Sequence, residues 1–379
     1  MPELESSQQA APWDRFAHWP KTWARAALVV LAVLLLAAAL VPIEAAKQQV
    51  TPSGLGQLVA HTEQSERPRD DDLTVYDHAI ERIRNGENYY HFIVAEHRAI
   101  HFPVRPGLAV RLPTLAYLEA WLGDSGQMAG AIALCLGVML AWWKRLGSEP
   151  GGAERRPLAM ALLLFGVSLG LNRYFFALHE LWSGMLLALA LALHRPASRA
   201  GAGDARWYAS LAAAALALAI REHALPFVLL MGAFALWQRD WRQALAWSGL
   251  AAAFLAGLAW HLHLIALQTG PADQLSASWL ALRGLGGWLS DITLSSNLRY
   301  LPHWLAGPLV VLMLLGWTGW RSAAGTFAAL LYAGYGVLFA VAGRADNYYW
   351  GAMVAPAMFI GLAFAPMALR SLGRALRAH

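Results

Sequence analysis

The chain has 379 residues, 58% of them hydrophobic and 14% charged, with a formal net charge of +5 and one cysteine. The apolar residues gather in long runs instead of spreading at amphipathic spacing, which excludes an ordinary soluble enzyme and describes a membrane protein. A lone Cys135 excludes intrachain disulfides and thiolate metal clusters. The Lys and Arg residues sit largely at the ends of apolar runs, so the positive charge reads as a topology signal and not as a nucleic-acid footprint.

In chain order, residues 1 to 23 are expected to form a cytoplasmic tail. The first apolar run, 24 to 43, lacks a small-residue cleavage site before Glu44 and reads as a retained anchor. Further apolar runs cover 125 to 143, 157 to 171, 178 to 194, 207 to 220, 224 to 238, 244 to 268, 302 to 319, 322 to 342 and 349 to 367. With a span needing about 20 apolar residues, the expected fold is an all-α polytopic transmembrane protein of about ten spans, some short, filling 24 to 367 and followed by a cytoplasmic tail from 368 to 379. Every connection on the amino-terminal side is then basic: Lys21 and Arg25, Lys144 to Arg156, Arg195 to Arg206, Arg239 and Arg242, Arg321, and Arg370 to Arg377. Both termini are expected in the cytoplasm of a bacterial inner membrane, as the excess of cytoplasmic cations requires. Trp residues at span ends, such as Trp142, Trp237 and Trp350, form the expected interfacial belt.

Two outer segments, 44 to about 124 and 269 to 301, are too polar to cross. Within the first, Tyr76 to Asn85 has Ala79, Ile80 and Ile83 at helical spacing and stops at Gly86. Leu115 to Leu122 suits a helix in the interface plane. The stretch between them contains Pro103, Pro106 and Pro113 and is expected to be extended or turning.

The first outer loop carries Asp72-Leu-Thr-Val-Tyr76-Asp77, then Gly86 and the aromatic pair Tyr89-Tyr90, then Arg105-Pro106 and Arg111-Leu-Pro113. This order resembles the first extracytoplasmic loop of GT-C glycosyltransferases such as the aminoarabinose and mannose transferases. There an Asp-x-x-x-Tyr opens a helix after the first span, a Gly and an aromatic close it, and a basic residue before Pro follows. The resemblance implies a GT-C fold and an inverting transfer of sugar from a polyprenyl-phosphate donor to a glycan, lipid or protein acceptor on the periplasmic face.

Chemistry gives the same residues a rationale. Sugar transfer from a polyprenyl phosphate needs a base for the acceptor hydroxyl and a cation for the departing phosphate. Asp72 occupies the motif position and is the first choice of base, with Asp77 as runner-up; Tyr76 completes the motif as a substrate-binding residue. Arg105 matches the basic residue before Pro, and Arg111 is its neighbour; an Arg fork suits phosphate. Further outer residues stand where the bilayer makes charge costly: Arg173 and Glu180 flank one short turn, Arg221 and His223 another, and Arg344 and Asn347 precede the last span. Glu180 matches the family's second carboxylate by position, and Arg221 stands where relatives carry a cation facing the donor phosphate. The mechanism requires no cofactor. A divalent metal is compatible with it, yet His97 and His101 lack a third ligand, and Asp70 to Asp72 lie outside any βα nucleotide-sugar pattern. Two rival readings are a flippase of lipid-linked saccharides, which would place charges or broken helices near the midplane, and a noncatalytic assembly partner, in which the outer charges tolerate substitution singly.

Overall fold

A computed structural model describes residues 13–43, 71–194 and 206–377, without the side chains of Asp71, Asp72 and Arg206. The expected tail before Trp13, the outer-loop segment 44 to 70 and the basic connector with Arg195 and Arg199 lie outside the described residues. Among those described no strand forms. In chain order the helices are α1 (Lys21–Leu40), α2 (Asp71–Arg84), α3 (Tyr89–Ala99), α4 (Thr114–Ser148), α5 (Gly152–Val167), α6 (His179–Leu193), α7 (Arg206–Ile220), α8 (Leu225–Trp237), α9 (Trp241–Ala266), α10 (Gly284–Leu294), α11 (His303–Gly319), α12 (Ala323–Val341), α13 (Ala355–Met358) and α14 (Ala365–Arg377).

Four helical stretches, Lys21–Leu40, Gly107–Ser148, Trp241–Ala266 and Ala323–Val341, are long and apolar enough to cross a bilayer. The pair Ala355–Ala363 and Ala365–Arg377, bent by 46°, makes a fifth if it counts as one span. Shorter apolar helices such as His179–Leu193 and His303–Gly319 pack among them. On α1, Val29, Val33 and Leu36 are each more than 60% exposed. A stripe of that kind is unstable against water and stable against lipid, and the molecule is a helical membrane protein.

The centre of the bundle is its least regular part. Residues 349 to 367, expected as a simple span, instead run through two 3-10 segments, Ala345–Met353 and Phe359–Ala363, with the single turn α13 between them. Gly351, Pro356, Gly361 and Pro366 recur every five residues and prevent a continuous helix. Close packing compensates: Met353, Met358, Phe359 and Ile360 are all but sealed from solvent. A Cβ at Gly184 of α6 or Gly316 of α11 would collide with the carbonyl oxygens of Ala352 and Gly361, so these neighbours approach backbone to backbone.

Helix α2 begins at Asp71, a turn earlier than the apolar spacing suggested, and ends as expected at Gly86 (φ +87°), whose N–H donates to Ile83 while Glu87 N–H donates to Arg82. Part of the stretch expected to be extended is helical. Asn88 caps α3 by accepting from Tyr90 N–H at 3.0 Å, and the prolines begin only at 103. Leu115 to Leu122 forms the first turns of α4, set at an angle to the rest by Gly123 (φ +62°). The polar segment 269 to 301 contains the short helix α10, buried against α12 and Ala345–Met353.

At one end of the bundle Trp320 Nε1–H donates to Pro150 O at 2.7 Å, and the Arg155 guanidinium lies 4.3 Å from the Trp13 ring. The first-loop helices α2 and α3 lie at the other end.

Candidate active site

At that second end the first loop closes over a cavity of about 330 Å³. Helix α2 contributes Tyr76, α3 contributes His97, and residues 102 to 111 contribute Phe102 and Arg111. The opposite wall comes from Phe175, Ser276, Trp279, Arg299, Arg344, and Asp346 to Trp350. Among the described side chains, three guanidiniums, several aromatic rings and one carboxylate, Asp346, therefore face a single space.

Arg111 is the junction. Its Nε–H donates to the Tyr76 hydroxyl at 3.1 Å, and Nη2–H donates to the Tyr349 hydroxyl at 3.2 Å. Its own carbonyl accepts from the Tyr89 hydroxyl at 2.7 Å, which fixes the backbone beneath it. Nη2 also lies 4.0 Å from Glu180 Oε1. One side chain thus joins α2, the Ala345–Met353 segment and the start of α6.

Below the cavity floor lies a buried charge cluster. Glu180 and Arg221, each with a side chain 1% exposed, meet at 2.6 Å between Oε1 and Nε. Arg221 also pairs with Glu222, whose Oε1 is 3.2 Å from His223 Nδ1. The His223 ring packs 4.3 Å from that of Trp350, which lines the cavity, and its carbonyl accepts from the Tyr335 hydroxyl. Two cations, Arg111 and Arg221, face two carboxylates, so the cluster is balanced internally.

Arg344 pairs with Asp346 at 3.0 Å and donates through Nη1 to Ser276 Oγ and Ala277 O at 3.3 and 3.2 Å. Asn347 is buried; its Oδ1 accepts from Arg344 N–H at 3.1 Å, and its Nδ2 donates to the Tyr349 hydroxyl at 3.2 Å. These bonds draw the extended chain at 276 to 279 over the cavity.

Of the residues singled out by sequence, Tyr76, Arg111, Arg344 and Asn347 line the cavity. Glu180, Arg221 and His223 form the cluster beneath it. Arg105 is elsewhere: its Nη1–H donates to Gly270 O at 3.1 Å and its carbonyl accepts from Ser276 N–H at 2.6 Å, so it ties the two outer loops together. Arg173 is exposed and shares Asp124 with Arg84, a surface clamp. Asp77 is half-buried and does not line the cavity. The side chain of Asp72 lies outside the described residues; position 72 itself stands one turn before Tyr76 on α2.

Sequence reasoning missed His97 and Arg299 as wall residues. His97 is buried, and loss of hydration lowers its pKa to about 4, which leaves a neutral ring facing the cavity at neutral pH. Arg299 carried a readable signal, a cation in an outer segment where cations are scarce. A second loop-to-loop tether joins Arg98 to Asp273, with Nε to Oδ1 at 2.7 Å. The Arg98 hydrogen bond, aided by the Gly270 N–H, holds the Asp273 carboxyl at about 2. A depressed carboxyl lends its stability above its unfolded value near 3.8 and loses it as pH falls towards 2, so this tether is intact throughout the neutral range. Among the described residues no three His, Cys, Asp or Glu side chains converge as a metal-ligand set. No family model matches the chain, and no curated protein or solved structure matches it either.

Proposed function

We propose that the chain is a GT-C-like glycosyltransferase of the bacterial inner membrane that moves a sugar from a polyprenyl-phosphate donor to a cell-envelope acceptor at this cavity. The observation that carries the reading is Arg111, held by Tyr76 of the first-loop motif on one side and by Tyr349 on the other, in the wall of a cavity at one end of an apolar bundle. Aromatic rings such as Trp279 and Tyr348 offer flat apolar faces to a sugar, while guanidiniums offer forked donors to phosphate.

In this reading Asp72 takes the proton of the acceptor hydroxyl, and the acceptor oxygen forms a bond to the anomeric carbon. The bond from that carbon to the phosphate oxygen breaks, the electron pair stays with the phosphate, and configuration inverts. Arg111 and Arg344 offset charge as it builds on the leaving phosphate. Glu180 and Arg221 act as positioning residues, since they are sealed below the floor and hold Arg111 through charge and packing. The step requires no cofactor. It is tested by offering several polyprenyl-phosphate sugars to membranes containing the protein and measuring product mass; failure to transfer any sugar to any envelope fraction would remove the proposal.

The proposed topology has about ten spans, both termini cytoplasmic and the cavity periplasmic. It is supported by the grouping of Arg15, Arg155 and Arg321 at the end opposite the cavity, as positive-inside placement requires. Reporter fusions after Asp124 and after His379 are expected to report opposite sides of the membrane. The same side from both would split the site across the bilayer and end this reading.

A further inference from the structure

Arg299 has no role in the proposal above, and its surroundings set it apart from the other cations of the cavity. Arg111 faces Glu180, Arg221 lies between Glu180 and Glu222, and Arg344 holds Asp346. Among the described residues no carboxylate lies within ion-pair distance of Arg299. The guanidinium sits in the cavity wall on the turn Asn297–Tyr300, between α10 and α11. Its Nε–H donates to Ser296 O at 3.3 Å and Nη2–H to Leu294 O, the last residue of α10. Capping the carboxyl end of α10 accounts for those two contacts. It leaves Nη1 with no hydrogen-bond partner among the described residues. The Phe175 ring lies 5.8 Å from the guanidinium carbon, and the Tyr348 and Tyr300 hydroxyls are close enough to act on its charge.

A partly buried guanidinium stays ionised and is destabilising until an anion reaches it. Among the described residues the other cavity cations, Arg111 and Arg344, each face a carboxylate, which leaves the Arg299 guanidinium as the one open to an anion. A sugar linked to a lipid through one phosphate is a diester bearing one negative charge, whereas a diphosphate bears two or more. The surroundings also favour a lipid over a soluble phosphate. Asn297 Nδ2 bridges to Phe165 O and Ser168 Oγ, both at 2.7 Å, and so joins this turn to the end of α5. The joined elements expose Phe165, Leu171, Tyr300 and Trp304, a flank suited to acyl or prenyl chains.

We infer that Arg299 is the residue that receives the phosphodiester monoanion of a lipid-linked ligand, through its free Nη1 edge, with the lipid chain leaving along the α5 and α11 flank. The inference deepens the proposed function and rests on it for the identity of the ligand as donor.

The test uses the full chain in detergent micelles and three probes: farnesyl methyl phosphate as a lipid diester, dimethyl phosphate as a soluble one, and farnesol as an uncharged lipid. Wild type is expected to bind farnesyl methyl phosphate, and Arg299→Gln to weaken that binding about 10- to 100-fold, the scale of one charged hydrogen bond. Farnesol binding should not change. Arg299→Lys keeps the charge without the fork and should fall between the two. If Arg299→Gln does not give folded protein, Arg299→Lys decides, with a loss of about threefold or more expected. Farnesyl methyl phosphate affinity unchanged in the deciding variant overturns the inference, as does a parallel loss of farnesol, which would make Arg299 only a cap. Dimethyl phosphate binding as tightly as the lipid diester overturns the lipid assignment. Sugar transfer with an unaltered donor KM in Arg299→Gln sinks this inference alone. Diester binding through Arg299 without any sugar transfer sinks the transferase reading alone.

Discussion

Replacing Arg221 with alanine is expected to destabilise the folded protein by about 3–5 kcal/mol, the usual consequence of removing one partner from a buried ion pair. Glu180 is 1% exposed, and without Arg221 its nearest remaining cation is Arg111 at 4.0 Å. Glu222 loses its guanidinium partner in the same substitution. Arg242→Ala removes the same side chain from an exposed position beside Tyr208 and should change stability by no more than about 0.5 kcal/mol. Denaturant unfolding in detergent compares the two. Adding Glu180→Gln to Arg221→Ala should restore part of the loss, because it removes the stranded charge. Transfer activity should fall with the folded fraction and with the displacement of Arg111. If Arg221→Ala unfolds like wild type while donor use collapses, Arg221 touches the donor directly, and its position below the cavity floor is not its working position.

How much of this site was legible in the sequence depends on the range of the forces involved. The stop of α2 at Gly86 was readable because a left-handed residue after an apolar period is a local signal. The choice of Arg111 and Tyr76 was readable as a motif, but their hydrogen bond was not. Arg105 and Arg111 look alike in sequence, each close to a proline, yet one ties Gly270 and the other lines the cavity. That difference arises only when the second outer loop folds against the first. Glu180 has no basic residue a helical turn away, and its partner Arg221 arrives through the packing of α6 against α7. Helices α3 and α10 are too short to be stable through propensity and owe their form to burial. The broken central segment shows the opposite case. Its five-residue alternation of glycine and proline is plain in the sequence, but an apolar composition reads as a simple span until the carbonyl contacts of Gly184 and Gly316 show why the break is tolerated.

Asp72→Asn is expected to leave a folded, membrane-inserted protein whose transfer rate is lower by about 100-fold to 10,000-fold, the usual effect of removing a general base. Position 72 lies in the first turn of α2, where an oxygen-bearing side chain can accept from free backbone N–H groups. Asparagine retains that oxygen and the size of the side chain, so a purely capping role should change stability by at most about 1 kcal/mol. It cannot accept the acceptor's proton. Asp77→Asn removes the same charge little more than a turn further along, from a half-buried position outside the cavity wall, and serves as the control. It should keep most of its transfer activity even if it loses some stability, so rates are to be compared per folded molecule. An inactive Asp77→Asn beside an active Asp72→Asn would move the base to Asp77 and require α2 to turn its other face to the substrate. Activity in both would remove Asp72 and Asp77 from the reaction, and transport of a lipid-linked saccharide would then explain the cationic cavity better than its transfer.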